Sequence, residues 1–171
     1  MATAVEGRRQ LPTMDVELSV NGRSHALSIE PCDLLIDTLR DQLGLLGTKR
    51  SCDVQVCGAC TVLVNDAPVS ACTYLTYEAR GKRVLTIEGL ASGDRLHPMQ
   101  QAFIDAAAFQ CGFCTPGMIL AATALVREIP HPTVEEIKHY MRGNICRCTG
   151  YKKILEAIQA AAEAMGQGGG R

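Results

Sequence analysis

The feature that most constrains this chain is the spacing of its cysteines. From Cys52 the sequence runs Cys-x4-Cys-x2-Cys through Cys57 to Cys60, and Cys72 follows with eleven residues between. A second set, Cys111-x2-Cys114 and Cys146-x-Cys148, lies in the C-terminal half. Four thiolates that converge make a metal site, so the fold has to gather sequence-distant cysteines twice. The ninth cysteine, Cys32, belongs to neither set and reads as a small, semi-buried residue.

The x4–x2 triplet with a distant fourth cysteine is the plant-type ligand spacing for a [2Fe–2S] cluster. Structural zinc also takes four cysteines, but its ribbons and knuckles pair two short Cys-x2-Cys units. The second quartet is less specific, since Cys-x2-Cys with a distant Cys-x-Cys suits either zinc or a cluster. A disulfide scaffold would need an oxidising compartment. Arg8-Arg9 begins a twin-arginine pattern, but the segment from Leu11 to Glu17 is no apolar signal core. The stretch Met118–Val126 is far too short to span a bilayer. A cytoplasmic protein without a transmembrane segment is the expectation.

Apolar residues make up 47% of the 171, enough for a core and too many for a disordered chain. Lys and Arg number 17 against 18 Asp and Glu, with no basic run. Trp is absent and aromatic residues are few, so the sequence offers no nucleic-acid surface. No nucleotide-binding glycine loop and no nucleophile–base set is present. The four histidines at 25, 97, 131 and 139 are scattered.

Residues 1–12 read as a flexible arm. Val16, Leu18 and Val20 alternate with polar residues, as do His25, Leu27 and Ile29, and Asn21-Gly22 between them predicts a type I′ hairpin. Asp33 is a candidate cap for a helix carrying Leu35, Leu39 and Leu43, ended by Gly44. Thr61–Val64 and Pro68–Ala71 form a second predicted hairpin around Asn65-Asp66. Folding back there sets Cys72 near Cys60, so the hairpin delivers the fourth thiolate. Arg83–Ile87 is one more strand, which gives a small mixed sheet gripping a helix. After a break at 89–93 the helical period takes over. Helices are expected from Pro98 to about Phe109, from Thr115-Pro116 with Thr115 as candidate cap to about Glu128, from the Thr133/Glu136 capping box to about Met141, and from Tyr151 to about Met165. Residues 166–171 read as a flexible tail. Each Cys bend then stands beside a helix start, where partial positive charge suits an anionic thiolate site. Arg142, Arg147 and Lys152 near the second quartet, and Lys49 and Arg50 near the first, are either charge compensators or solvated.

Three segments carry a resemblance: CysGlyAlaCysThrValLeuVal at 57–64, GlnCysGlyPheCysThrProGlyMet at 110–118 and GlyAsnIleCysArgCysThrGlyTyr at 143–151. They closely resemble the two-cluster iron–sulfur subunit of the molybdenum hydroxylases, the xanthine dehydrogenase, aldehyde oxidoreductase and carbon monoxide dehydrogenase family. ThrIleGluGly at 86–89 and HisProMetGln at 97–100 are similar to it as well, and the likeness covers roughly residues 14–162. The resemblance implies an α+β fold, with an N-terminal β-grasp ferredoxin-like domain (13–90) followed by a C-terminal four-helix bundle (91–165). It implies one [2Fe–2S] cluster on Cys52, Cys57, Cys60 and Cys72 and another on Cys111, Cys114, Cys146 and Cys148. It further implies a large partner subunit with molybdenum on a pterin, a medium subunit with FAD, and a dimer of heterotrimers. Electrons would pass singly from molybdenum through the helical-domain cluster, then the β-grasp cluster, to FAD. Gln110 would lie near the pterin. No residue of this chain alone would oxidise substrate. The alternatives are a free-standing ferredoxin-like carrier and a zinc-stabilised redox or interaction module. One departure stands out. The loop Ser51–Val56 lacks the glycines common in relatives, one before the first cysteine and one within x4. That leaves its amide hydrogen bonding open.

Overall fold

The computed structural model describes residues 11–168. Two hairpins build its sheet. β1 (Met14–Val20) and β2 (Arg23–Ile29) pair antiparallel around Asn21-Gly22, both at positive φ as a type I′ turn requires. β3 (Thr61–Val64) and β4 (Ala67–Ser70) do the same around Asn65-Asp66, whose φ values are 48° and 68°. β5 (Arg83–Leu85) runs parallel to β1 and antiparallel to β3, giving the order β2-β1-β5-β3-β4. Val16, Leu18 and Val20 point inward onto Leu35, Ile36 and Leu39, as the alternation requires. His25 pairs opposite Leu18 as an ordinary, half-buried strand residue.

The helix against this sheet differs from its expected form. α1 is Leu35–Asp37 and continues through Thr38–Gln42 with π-type bonding, the Leu43 N–H reaching the Thr38 carbonyl at 3.1 Å. Its cap is Leu34, not Asp33; the Asp33 carboxylate instead accepts the Glu30 amide at 2.9 Å. The wider turn lets the Leu45 N–H reach the Leu39 carbonyl at 2.8 Å, and Gly44 at φ 68° turns the chain away. The buried Thr38 and Thr76 hydroxyls bond at 2.8 Å, tying this helix to the segment after Cys72.

Four helices follow: α2 (Pro98–Asp105), α3 (Thr115–Glu128), α4 (Val134–Met141) and α5 (Lys152–Gly168). Four of their ends depart from expectation. α2 stops four residues short of Phe109 in a Schellman motif, with Ala108 N–H to Phe103 O and Ala107 N–H to Ile104 O at 2.9 Å each. The left-handed position is Ala107 (φ 49°), so no glycine marks it. At α3 the cap is Cys114, without a side-chain bond, and Thr115 is already helical. Tyr151 stands before α5 at φ 67°, and the helix runs on through Gly166 to Gly168. The i→i−4 ladder propagates out of the preceding alanines there, and Gly166 packs on His131. Residues 1–10 and 169–171 of the expected flexible termini lie outside the described residues; Leu11 and Pro12 are exposed and irregular.

The two halves share packing. α3 is buried along Gly117–Val126 and lies on β3. Leu63 of β3 belongs to the same apolar cluster as Met118, Leu125, Ile137 and Ile158. Asp66, in the β3–β4 turn, pairs with Arg127 at the end of α3 and with Arg83, each at 2.8 Å. Gly117 permits the contact, since a Cβ there would stand 2.2 Å from the Gly58 carbonyl oxygen.

Candidate metal centres

The structure brings thiols together within each expected quartet: Cys52 neighbours Cys57, Cys72 neighbours Cys60, Cys111 neighbours Cys148, and Cys114 neighbours Cys146. In the first, the Ala71 N–H donates to the Cys60 carbonyl at 3.3 Å, just beyond the last β3–β4 pair, Thr61 and Ser70. Cys60 and Cys72 therefore adjoin at the hairpin base, both buried. Burial pushes the Cys60 thiol up to about 12, and the neighbouring Cys72 and Cys57 thiols add to the rise.

Cys52 and Cys57 come from the loop. Asp53 and Gln55 take positive φ, 56° and 59°, a conformation that glycine adopts without strain. The amides of Val54, Cys57 and Val56 consequently turn toward the Cys52 sulfur, the last at 3.4 Å, and hold its pKa down at about 6. The glycine-free loop thus keeps inward-facing amides. Its side chains are secured outside the ring: Gln55 accepts from the Thr73 hydroxyl at 3.0 Å, and Asp53 pairs with Arg50 at 2.9 Å. Arg50 also pairs with Asp37, and Lys49 donates to the Leu46 carbonyl at 2.6 Å, so both cations serve the local chain. The segment entering this loop is fixed by the motif at 86–89. Thr86 exchanges two 2.9 Å bonds with Asn21, and the Glu88 carboxylate accepts the Gly47 amide at 2.7 Å.

The second quartet pairs across its two motifs. Cys148 Sγ lies 3.6 Å from Cys111 Sγ, both exposed, while Cys146, which is buried, meets Cys114. Two thiolates about 2.3 Å from one tetrahedral metal stand about 3.8 Å apart, so the 3.6 Å pair suits a shared metal. Burial, then the Cys146 thiol, pushes Cys114 up to about 12. Burial opposes ionisation of Cys146 too. The Thr149 hydroxyl (3.1 Å), the Thr149 amide (3.4 Å) and the Cys148 amide overcome it, and its pKa falls. The Tyr151 hydroxyl accepts the Cys146 N–H at 3.0 Å, which explains the strained φ of Tyr151. The exposed Cys148 thiol is raised by its Cys111 neighbour.

Sequence reasoning missed the joint between the quartets. The Ile145 N–H, one residue before Cys146, donates to the Cys57 carbonyl at 2.9 Å. Asn144, buried, donates to the Gly58 carbonyl at 3.2 Å and to Thr61 Oγ1 at 3.3 Å. A Cβ on Gly58 would stand 2.5 Å from Asn144 Nδ2. The signal lies in CysGly at 57–58 and GlyAsn at 143–144, but only pairing them reveals it. His97, one of the scattered histidines, also has a structural task. Its Nδ1 accepts the Met99 N–H at 3.1 Å and closes a capping box with Gln100 on α2. Gln110 is exposed next to Cys111. Cys32 stands exposed beside Glu30 and Asp33, outside both quartets.

Two family models match the chain. A 2Fe-2S iron-sulfur cluster binding domain covers residues 18–105 and a [2Fe-2S] binding domain covers 86–159. The iron-sulfur-binding subunit of aldehyde oxidoreductase from Escherichia coli K12 is 46% identical over 164 residues, covering 87% of this chain and 72% of that protein. The small FeS subunit of nicotinate dehydrogenase from Eubacterium barkeri is 45% identical, covering 86% of this chain and 94% of its own length. Among solved structures, a chain of quinoline 2-oxidoreductase from Pseudomonas putida 86 superposes with a TM-score of 0.87 at 42% identity, covering 91% of this chain and 98% of that one. The aldehyde oxidoreductase of Desulfovibrio gigas gives 0.86 at 37% identity; 91% of this chain matches only 17% of that polypeptide. Two thiolate quartets on a mixed sheet and a helical half, with relatives alike over most of their length, place this chain in the family of iron–sulfur subunits of the molybdenum hydroxylases.

Proposed function

We propose that this chain relays electrons within a heteromeric molybdenum hydroxylase. It would accept them from a molybdenum–pterin centre in a large partner and deliver them to FAD in a medium partner. The fold is read as a β-grasp domain (13–90) and a four-helix bundle (91–165), each holding one cluster. Cys52, Cys57, Cys60 and Cys72 hold the first [2Fe–2S] cluster, and Cys111, Cys114, Cys146 and Cys148 the second. When bound, such clusters supply one-electron redox chemistry over a wide range of potentials.

The observation that carries the reading is the 2.9 Å bond from the Ile145 N–H to the Cys57 carbonyl. It joins the residue beside one quartet to a member of the other through backbone alone. The chain's own task is to hold this joint in place, and the Asn144 bond and the close packing at Gly58 and Gly117 serve it. The exposed face of the second quartet, with Cys111, Cys148 and Gln110, is assigned to the large subunit and the pterin. The Cys52 loop, where Val54 and Val56 are 65% and 57% exposed, is assigned to the medium subunit. Like its relatives, the chain is a component of a multi-subunit enzyme; a cytoplasmic dimer of heterotrimers is the assembly proposed. Among the described residues no helix is long and apolar enough to cross a membrane.

Iron and acid-labile sulfide analysis with EPR of the reduced protein tests this. Two distinguishable [2Fe–2S] signals are expected, with Cys146→Ala removing one and Cys60→Ala the other. A colourless, zinc-loaded chain would overturn the reading.

A further inference from the structure

Beside the second quartet lies a groove of about 460 Å³ between the end of α4 and the start of α5. Its floor is apolar, formed by Met118, Met141 and Ile154, all buried. Its rim carries Lys138, Arg142 and Lys152, and no carboxylate lines it. Lys138 is engaged by Glu135 at 2.7 Å. Among the described residues, Arg142 and Lys152 make no ion pair, although Asp37, Asp53, Asp66, Glu135 and Glu156 all do. Lys152 follows Cys148 by only four residues, so an occupant of the groove abuts the quartet's loop.

We propose that this groove receives an acidic segment of the large molybdenum-bearing subunit, with an apolar side chain on the floor and carboxylates on Arg142 and Lys152. The inference rests on the function proposed above and names the contact that would orient the second cluster toward that partner. Charge complementarity selects the occupant. Arg142 has no ion-pair partner and Lys152 only the longer-range field of Glu156, which is itself bonded to Lys153, so the cationic rim over an apolar floor disfavours a basic or purely apolar segment. In the Desulfovibrio gigas relative, the region matched by this chain is covalently joined to a much longer polypeptide. In the nicotinate dehydrogenase relative, whose small FeS subunit is matched over 94% of its own length, that register depends on a specific non-covalent contact.

The test is co-purification of the cluster-loaded chain with its large and medium partners across a salt series. The double reversal Arg142→Glu/Lys152→Glu is expected to lower recovery of the large subunit at least about tenfold. The medium subunit and both EPR signals should be retained. The neutral pair Arg142→Gln/Lys152→Gln should fall between, with a weaker salt dependence than wild type. Should the reversed chain lose a cluster, recovery with the neutral pair decides between the outcomes. Wild-type recovery and salt dependence in the charge variants would overturn the groove assignment alone. A wild-type chain that recovers no large subunit would overturn the proposed function and this inference with it.

Discussion

At the scale of single residues, the Ser51–Val56 loop is the informative case. A left-handed conformation costs a non-glycine residue roughly 1–2 kcal/mol, and Asp tolerates it better than most. Asp53 and Gln55 accept that cost, and the inward amides at Cys52 are what it secures. Asp53→Val should therefore destabilise the chain by about 1–2 kcal/mol, since a β-branched residue is a poor fit at positive φ. Asp53→Gly should be near neutral, because the lost Arg50 pair is exposed and worth little. Thermal unfolding of the two variants checks this; equal effects would mean the loop relaxes to negative φ. Asp is a turn former but Gln is not, so the left-handed conformation at Gln55 in particular was not legible.

At the scale of elements, caps and close approaches decide where helices begin and how they sit. The Thr133/Glu136 box was legible because both residues have the usual identities. The α2 box was not, because its cap is a histidine. His97 must be neutral at Nδ1 to accept the Met99 amide, and burial, then the charge of Arg127, lowers its pKa. A base with a depressed folded pKa binds more protons when unfolded. Its contribution is thus complete above the unfolded value of about 6.5 and is lost as pH falls below it. Denaturant titrations between neutral and mildly acidic pH should show this loss in wild type and not in His97→Asn, which caps without titrating. Gly117 bears on the next level of packing. Gly117→Ala pushes a Cβ into the Gly58 backbone and should cost about 1–3 kcal/mol. Denaturant midpoints would report it, and a neutral result would show that α3 can slide on β3.

At the scale of the whole molecule, the halves are not separable modules. Leu63 of the sheet is fully buried within the helical core, and Asp66 and Asn144 cross the junction. A chain ended after residue 90 would expose Leu63 and leave the Gly58 carbonyl without Asn144. Such a truncation should aggregate or lose its cluster, which absorbance of the purified fragment would reveal. A stable, coloured fragment would favour the free-standing carrier instead. In the full chain, loss of the two EPR signals should coincide during denaturant unfolding, because the two apolar clusters are joined through β3, which gives Leu63 to one and Val62 and Val64 to the other.

The sequence by itself determined the local terms. Cysteine spacing, the Asn21-Gly22 type I′ turn, the Asn65-Asp66 turn, alternation in β1 and β2 and the helix-start signals of the C-terminal half each depend on residues close in the chain, so the expected quartets and most elements could be read from it. The tertiary structure alone decided how the quartets meet. The bond from Ile145 to Cys57, the fit of Gly117 on Gly58 and the cationic groove between α4 and α5 join segments far apart in sequence. Such contacts arise from the steric match of two backbones, and a backbone leaves little trace in side-chain pattern beyond a glycine that could serve many purposes.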